Sequence, residues 1–254
     1  MSLSLTNYLL VPDWPAPANV RTLQTTRLGG VSIAPYASLN LGDHVGDAPL
    51  SVARNRMLLG AVLPGEPVWL EQVHGTAVAD ADGAVCQTQA CPESSRRADA
   101  CIARRHGSVC VVMTADCLPV LLCDGQGAVV AAVHAGWKGL AAGVIEATVH
   151  AMKVPPQNLM AWLGPAISQQ AFEVGEEVRA TFVDANQAAA AAFIPGPSGK
   201  YLADIYALAR LRLNALGITQ IYGGDRCTYR ESEQFFSYRR DGVTGRMGTF
   251  IWLE

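Results

Sequence analysis

The segment Leu118-Pro119-Val120-Leu121-Leu122-Cys123-Asp124-Gly125-Gln126-Gly127-Ala128-Val129-Val130-Ala131-Ala132-Val133-His134 decides the fold. Two apolar runs, 118–123 and 128–133, flank a turn-prone Asp-Gly-Gln-Gly link. That pattern reads as a β-hairpin closed by a short glycine-containing loop. With the turn centred between Gly125 and Gln126, Cys117 and His134 lie equally far from the centre. Directly opposed residues of an antiparallel pair share a face, with Cα atoms roughly 4.5–5.5 Å apart. Pro119 is the weak point, because proline cannot donate to a ladder and favours an edge or a strand start.

Working outward, 109–114 is a strongly apolar strand, and 68–73 is a short strand that ends at His74. Residues 51–63 have helical spacing at Val52, Leu58, Leu59 and Val62, with Ser51 as N-cap. Residues 8–47, rich in Pro, Gly, Asn and Asp, read as short strands and loops, and 81–97 as a polar loop. Downstream, 140–152 suits a helix with Leu140, Val144 and Ile145 on one face. A short strand at 161–163 follows. Residues 174–192 read as a helix that ends in a run of alanines, a good helix former. Residues 204–216 form an amphipathic helix ended by Gly217, and 218–222 a strand. Residues 235–238 and 249–253 read as strands joined through 241–245. No internal repeat or linker is visible, so one mixed α/β domain over 1–254 is expected, with helices and sheets in packed layers.

The chain has 254 residues, half of them apolar and 16% charged, with a net charge of −3. It is long enough for a sizeable core. Without a global basic field, nucleic acid and anionic membranes are not expected partners. Met1–Asn7 has neither a basic n-region nor an apolar h-region. No apolar run approaches the roughly 20 residues that span a bilayer. A cytoplasmic location is therefore expected, and a monomer is the separate expectation for its assembly. The seven cysteines are odd in number and contain no Cys-x-x-Cys pair, which argues against a disulfide framework.

Three residues attract attention together: His74 in Leu70–Gly75, Cys117 in Thr114–Pro119 and His134 in Ala132–Gly139. Imidazole and thiolate suit zinc, and three protein ligands leave a fourth position open. Taken singly, His74 suits a loop or capping role better than a ligand role, and Cys117 suits a small buried side chain better. Cys117 between two strands also suits a nucleophile, and Asp116 suits either a ligand-orienting or a structural turn role. After His134, Gly136 and Gly139 permit close backbone approach, and Trp137 offers a face for a flat ligand. His106 and His150 read as surface residues, and His44 more as a loop residue than a pocket one. Arg226, Arg230, Arg239, Arg240 and Arg246 suggest an anion site, since guanidinium matches phosphate bidentately. Arg239 is preferred among them, while Asn40 and Arg56 are further substrate-binding candidates. The P-loop, the H-E-x-x-H zincin helix, the H-x-E…P-C-x-x-C deaminase signature and the G-x-S-x-G elbow are all absent.

The blocks 70–75, 114–119, 132–139, 162–165 and 235–253 resemble the YfiH family, also called the laccase-domain, polyphenol oxidase or peptidoglycan-editing-factor family. The resemblance runs from about Val11 to Leu253 with the blocks in family order. It implies a layered α/β fold, and a zinc site that falls on His74, Cys117 and His134, which are then also the catalytic residues. It departs at 84–101, which is longer than in close relatives and carries Cys86, Cys91 and Cys101.

The resemblance further implies phosphorolysis of adenosine, inosine and methylthioadenosine, and deamination of adenosine, with nucleoside and phosphate as small-molecule partners. Zinc that generates a nucleophile from water near neutral pH suits attack at C6 of adenine. Three alternatives compete. A laccase-like oxidase could use copper (Cu2+) in the same site, although a full laccase set needs about ten histidines and this chain has five. The second is a metal-free Cys117–His134 hydrolase that edits a peptidoglycan precursor. The third is a non-catalytic protein with a structural zinc, for which no fourth protein ligand is evident.

Overall fold

The computed structural model describes residues 5–83 and 96–254. In chain order its strands are β1 (Leu9–Leu10), β2 (Val20–Thr25), β3 (Val78–Asp80), β4 (Ala100–Ala103), β5 (Val109–Thr114), β6 (Leu118–Asp124), β7 (Val130–Ala135), β8 (Leu159–Leu163), β9 (Glu173–Val174), β10 (Phe193–Pro195), β11 (Tyr201–Ala203), β12 (Gln220–Gly223) and β13 (Met247–Leu253). Its α-helices are α1 (Pro49–Leu59), α2 (Trp137–Ala142), α3 (Val144–Met152), α4 (Glu176–Ala185), α5 (Ile205–Ala215) and α6 (Tyr238–Asp241).

Two mixed or antiparallel sheets stack on one another. One has the order β12-β8-β6-β7-β4-β3 and the other β1-β2-β13-β5, while a small sheet β10-β11-β9 lies apart from both. Period-two alternation assigns the two faces of β6. Leu118, Val120 and Leu122 join a core shared with Leu140 and Ile145 beside the helices. Leu121 and Cys123 join a core between the sheets with Cys110, Val112 and Ile251. A third cluster, with Leu59, Val111 and Phe250, lies between the smaller sheet and α1. Strands covered on both faces read as continuous apolar runs, which is why 118–123 and 128–133 carry no polar alternation. The expected layered α/β sandwich is therefore observed.

The hairpin forms with a shifted register. Cys123 pairs Val130 and Pro119 pairs His134, so Cys117 does not oppose His134. The cause is the turn. The Asp124 carboxylate accepts N–H groups from Gln126 at 3.2 Å, Ala128 at 2.6 Å and Val129 at 2.9 Å. These bonds move the centre of the turn one residue towards the C-terminus. The partner shift is two residues, so the face is unchanged.

Pro119 sits in a central strand, not at an edge. Gly164 donates its N–H to the Pro119 carbonyl at 2.9 Å, but Pro119 has no N–H to return. The Tyr206 hydroxyl compensates. It lies 3.0 Å from the Gly164 carbonyl and 2.8 Å from that of Arg226, and it accepts the Ala166 N–H at 2.8 Å.

Other expectations need correction. The first helix begins at Pro49 with Ala48 at the N-cap, not at Ser51, because proline is pre-organised for the first helical turn. The expected helix 140–152 is two helices, broken where Gly143 adopts φ 97°. The alanine run is 3-10 helix, not a continuation of α4: Asn186 breaks the helix, and its side chain accepts the Ala188 N–H. Residues 68–73 form only isolated bridges to neighbouring segments. There the side chain of Gln72 replaces the ladder, donating to the Met113 carbonyl at 2.8 Å and accepting its N–H at 2.7 Å. Residues 235–238 are not a strand, since Ser237 caps α6 by accepting the Arg240 N–H. Of the cysteines at 84–101, Cys86 and Cys91 lie outside the described residues, and Cys101 is buried in β4.

Tyr206→Phe should keep the fold but leave backbone groups at 164–166 without their partner. We expect a loss of about 1–3 kcal/mol, measured as a lower urea midpoint with unchanged m-value.

Candidate metal centre

The sheets part at one end, where residues 115–117 carry the chain from β5 to β6. Asp116 makes this turn with φ 96°. Its carboxylate is fixed on both sides, accepting the Thr228 hydroxyl at 2.6 Å and the Arg239 backbone N–H at 2.7 Å. Both oxygens hold the turn that presents Cys117. Opposite, His134 ends β7. From a third direction, the loop after Gln72 brings in His74, with φ 61°.

The ligand atoms of His74, Cys117 and His134 all lie within 4.8 Å of one another. Cys117 Sγ is 3.7 Å from His74 Nε2, and the two imidazoles meet edge-on with centroids 4.7 Å apart. A Cβ on Gly136 would fall 2.7 Å from His74 Cδ2 and 3.1 Å from Cys117 Sγ. Only glycine allows the link between β7 and α2 to pass so close behind these side chains.

Asp99, absent from the sequence-derived candidates, organises the group. It is fully buried. Its Oδ1 accepts the His74 N–H at 2.8 Å and lies 2.8 Å from His134 Nδ1. Its Oδ2 accepts the Gly75 N–H at 2.7 Å and the Val73 N–H at 3.2 Å. One carboxylate thus fixes the His74 loop and turns His134 so that Nε2 faces Cys117. A carboxylate behind a ligating histidine fixes its tautomer and raises its basicity. The one hint in the sequence is a lone acid in the otherwise apolar Ala98-Asp99-Ala100-Cys101-Ile102-Ala103.

The electrostatics match. Burial pushes the Cys117 thiol up, but His134 and His74 outweigh it and bring it down to about 6. Burial pushes His134 down, but Cys117 and Asp99 outweigh it and raise it to about 9. For Asp99, burial works upward while His134 and the Gly75 N–H hold the carboxyl below its ordinary value. Without a cation, the sulfur and imidazole form a charged pair. Two nitrogens, one easily formed thiolate and a fixed outer carboxylate suit a borderline-soft divalent ion.

The triad opens onto a cavity of about 400 Å³, lined also by His44, Gln72, Thr114, Tyr238 and Arg246. That size suits a small-molecule ligand. Not every sequence-derived candidate reaches it. Asn40 is fully buried, and its amide binds Gly42, Asp47 and the Arg246 backbone. Arg56 donates to the Leu41 carbonyl and lies 4.0 Å over Trp69. Trp137 packs beside the helix-side core with Lys138 over its ring at 5.7 Å. Arg239 donates to the Glu173 carbonyl. The five arginines do not converge on one anion site: Arg226 pairs Glu231, Arg240 pairs Asp241, and Arg230 binds Gln170. Only Arg246 lines the cavity, as does His44, which the sequence reading had set aside. His106 and His150 are exposed, as expected.

Asp99→Asn should fold but hold metal ten- to a hundredfold more weakly, measured by competition with a chromogenic chelator. Wild-type affinity in that variant would remove Asp99 from the centre.

A family model described as "Multi-copper polyphenol oxidoreductase laccase" matches residues 21–254. A curated relative from Shigella flexneri, named "Purine nucleoside phosphorylase YfiH", is 57% identical over 247 residues, covering 96% of this chain and 98% of its own. A relative from Pseudomonas aeruginosa, also named as a purine nucleoside phosphorylase, is 52% identical over 249 residues, covering 98% and 99%. A crystal structure of a Neisseria meningitidis protein superposes with a TM-score of 0.91 at 54% identity, covering 97% of this chain and 99% of that one. No described helix is long and apolar enough to cross a membrane. On the family match and these relatives, the chain belongs to the YfiH family, described as multi-copper polyphenol oxidoreductase laccase.

Proposed function

We propose that the protein is a zinc-dependent purine nucleoside enzyme. Its reactions are phosphorolysis of adenosine, inosine and methylthioadenosine, and deamination of adenosine. One observation carries the reading: the His74–Cys117–His134 group faces a nucleoside-sized cavity, in a chain whose relatives bear the phosphorylase name. Held by His74, Cys117 and His134, zinc would supply Lewis acidity.

The chain's own residues bind and orient. Tyr238, 59% exposed at the cavity mouth, offers an aromatic face to a purine. His44 also lines the cavity, with Nδ1 3.5 Å from Asp43. In phosphorolysis the C1′–N9 bond breaks and its electron pair leaves with the base. An oxygen of hydrogen phosphate bonds to C1′, and the phosphate's proton ends on the base. In deamination water replaces the C6 amine, which departs as ammonia. Holding the reactants together is the main physical contribution of such a cavity.

The copper-oxidase reading has the family description in its favour. It lacks ligands for a four-copper set, since of the five histidines only His74 and His134 converge, and His106 and His150 lie exposed elsewhere. A mononuclear copper protein is compatible with the triad. The metal-free hydrolase reading draws on the charged pair between Cys117 and His134.

The test is to incubate metal-analysed protein with adenosine, with and without phosphate, and identify products by chromatography. Adenine with ribose 1-phosphate is expected only with phosphate, and inosine in either case. Chelation should abolish turnover, and zinc should restore it. Cys117→Ala should lose both metal and turnover. Full activity in that variant, or after exhaustive chelation, would overturn the metal reading.

A further inference from the structure

Arg246 is the one permanent cation among the described residues that line the cavity, and no aspartate or glutamate lines it. Among the described residues no carboxylate lies within 4.0 Å of this guanidinium, whereas Arg56, Arg212, Arg226 and Arg240 all have such partners. Its only acceptors among the described residues are the carbonyls of Thr244 at 3.0 Å and Gly245 at 3.1 Å, both bound by the same terminal nitrogen. The remaining N–H groups are left for something else. Burial lowers its pKa, while Cys117 and Asp116 work against that from nearby. A half-buried, unpaired guanidinium is costly unless a ligand completes it.

The arm is held in place. The Arg246 N–H donates to Asn40 Oδ1 at 2.9 Å, and its carbonyl accepts the Leu41 N–H at 3.1 Å. Its stem lies against Gly42, where an added Cβ would fall 2.8 Å from Arg246 Cγ. Thr114 also lines the cavity; it is 1% exposed, and its hydroxyl has no hydrogen-bond partner. The charge balance points the same way. A divalent ion on one thiolate and two neutral imidazoles leaves a net positive centre, and Arg246 adds a second positive charge. The space between calls for an anion with several acceptor oxygens.

We propose that Arg246 and Thr114 form the subsite for the phosphate co-substrate, an inference that rests on the phosphorolysis reading. The guanidinium fork takes phosphate oxygens, and the Thr114 hydroxyl donates to another. Held there, one oxygen attacks C1′ as the C1′–N9 bond breaks, and the phosphate's proton passes to the departing base. Asn40 and Gly42 are positioning residues that act through Arg246.

The experiment uses the full chain loaded with zinc, with inorganic phosphate as the probe. Wild type, Arg246→Gln and Arg246→Lys are compared by phosphate KM, by nucleoside KM, by zinc content and by the rise in Tm that phosphate produces. Arg246→Gln should raise the phosphate KM at least tenfold and abolish the phosphate-induced Tm rise. Zinc content should be unchanged and the nucleoside KM should move less than threefold. Arg246→Lys, which keeps the charge but not the fork, should fall between. A wild-type phosphate KM in both variants, or equal losses for phosphate and nucleoside, would overturn the subsite. If wild type forms no ribose 1-phosphate, yet phosphate raises its Tm through Arg246, the phosphorylase reading fails and the anion site stands. If phosphate neither reacts nor raises wild-type Tm, the subsite falls.

Discussion

The centre depends on a single buried carboxylate. Asp99 accepts three consecutive backbone N–H groups from 73–75 and faces the His134 ring nitrogen. Bringing a carboxylate into a fully buried position carries a desolvation penalty of several kcal/mol, and the four partners offset it. They also join three parts of the chain that are remote in sequence: the loop before β3, the start of β4 and the end of β7. Because a side chain consumes the N–H groups of the His74 loop, that loop needs no ladder. It is therefore free to take the left-handed conformation seen at His74.

The location follows from the stacking of the two large sheets. The chain passes from one sheet to the other through 115–117, and a crossover at the sheet end leaves a mouth that core side chains do not fill. Strain gathers at this mouth. His74 and Asp116 are non-glycine residues at positive φ, two of four in the described chain, and each such residue costs of order 1–3 kcal/mol. The surrounding contacts over-determine both. Asp99 holds the first, and Thr228 with the Arg239 backbone holds the second. The mouth so fixed holds His74, Cys117 and His134 close to one another.

The sequence reveals this arrangement unevenly. The strand 109–114 matches β5 to the residue, because a doubly covered strand advertises itself as an unbroken apolar run. The hairpin was legible in type but not in register, since Asp124 folds its side chain into the turn and no spacing rule encodes that. Two-residue periodicity protected the conclusion, so Cys117 still joins His134 although Pro119 takes the opposing place. The helix 140–152 reads as unbroken because apolar spacing is blind to Gly143 turning left-handed. His74, Cys117 and His134 announced themselves by side-chain chemistry, and the structure brings them together. Asp99 did not, because its importance comes from long-range contacts, and Arg246 stood out only as one of five arginines, although it meets Asn40 across 206 residues. Asn40 as a substrate-binding candidate and Arg246 as one arginine of five are both legible in the sequence, but which of the two faces the cavity is a property of the folded chain.

The same triad can be read as a nucleophile pair or as a ligand set, and the surroundings favour the ligand set. A cysteine nucleophile needs a base on one side and free approach on the other. Cys117 Sγ has that approach, since it lines the cavity, but it also has His74 at 3.7 Å. His74 is redundant for a simple Cys–His pair, yet its loop is fixed by three hydrogen bonds to Asp99. A hydrolase would gain nothing from ordering a second imidazole so firmly against the sulfur. A cation gains its third ligand, and it replaces the His134 proton as the positive partner of the thiolate. The charged pair of the metal-free protein is then the arrangement a metal enters, with the sulfur already inclined to give up its proton at neutral pH.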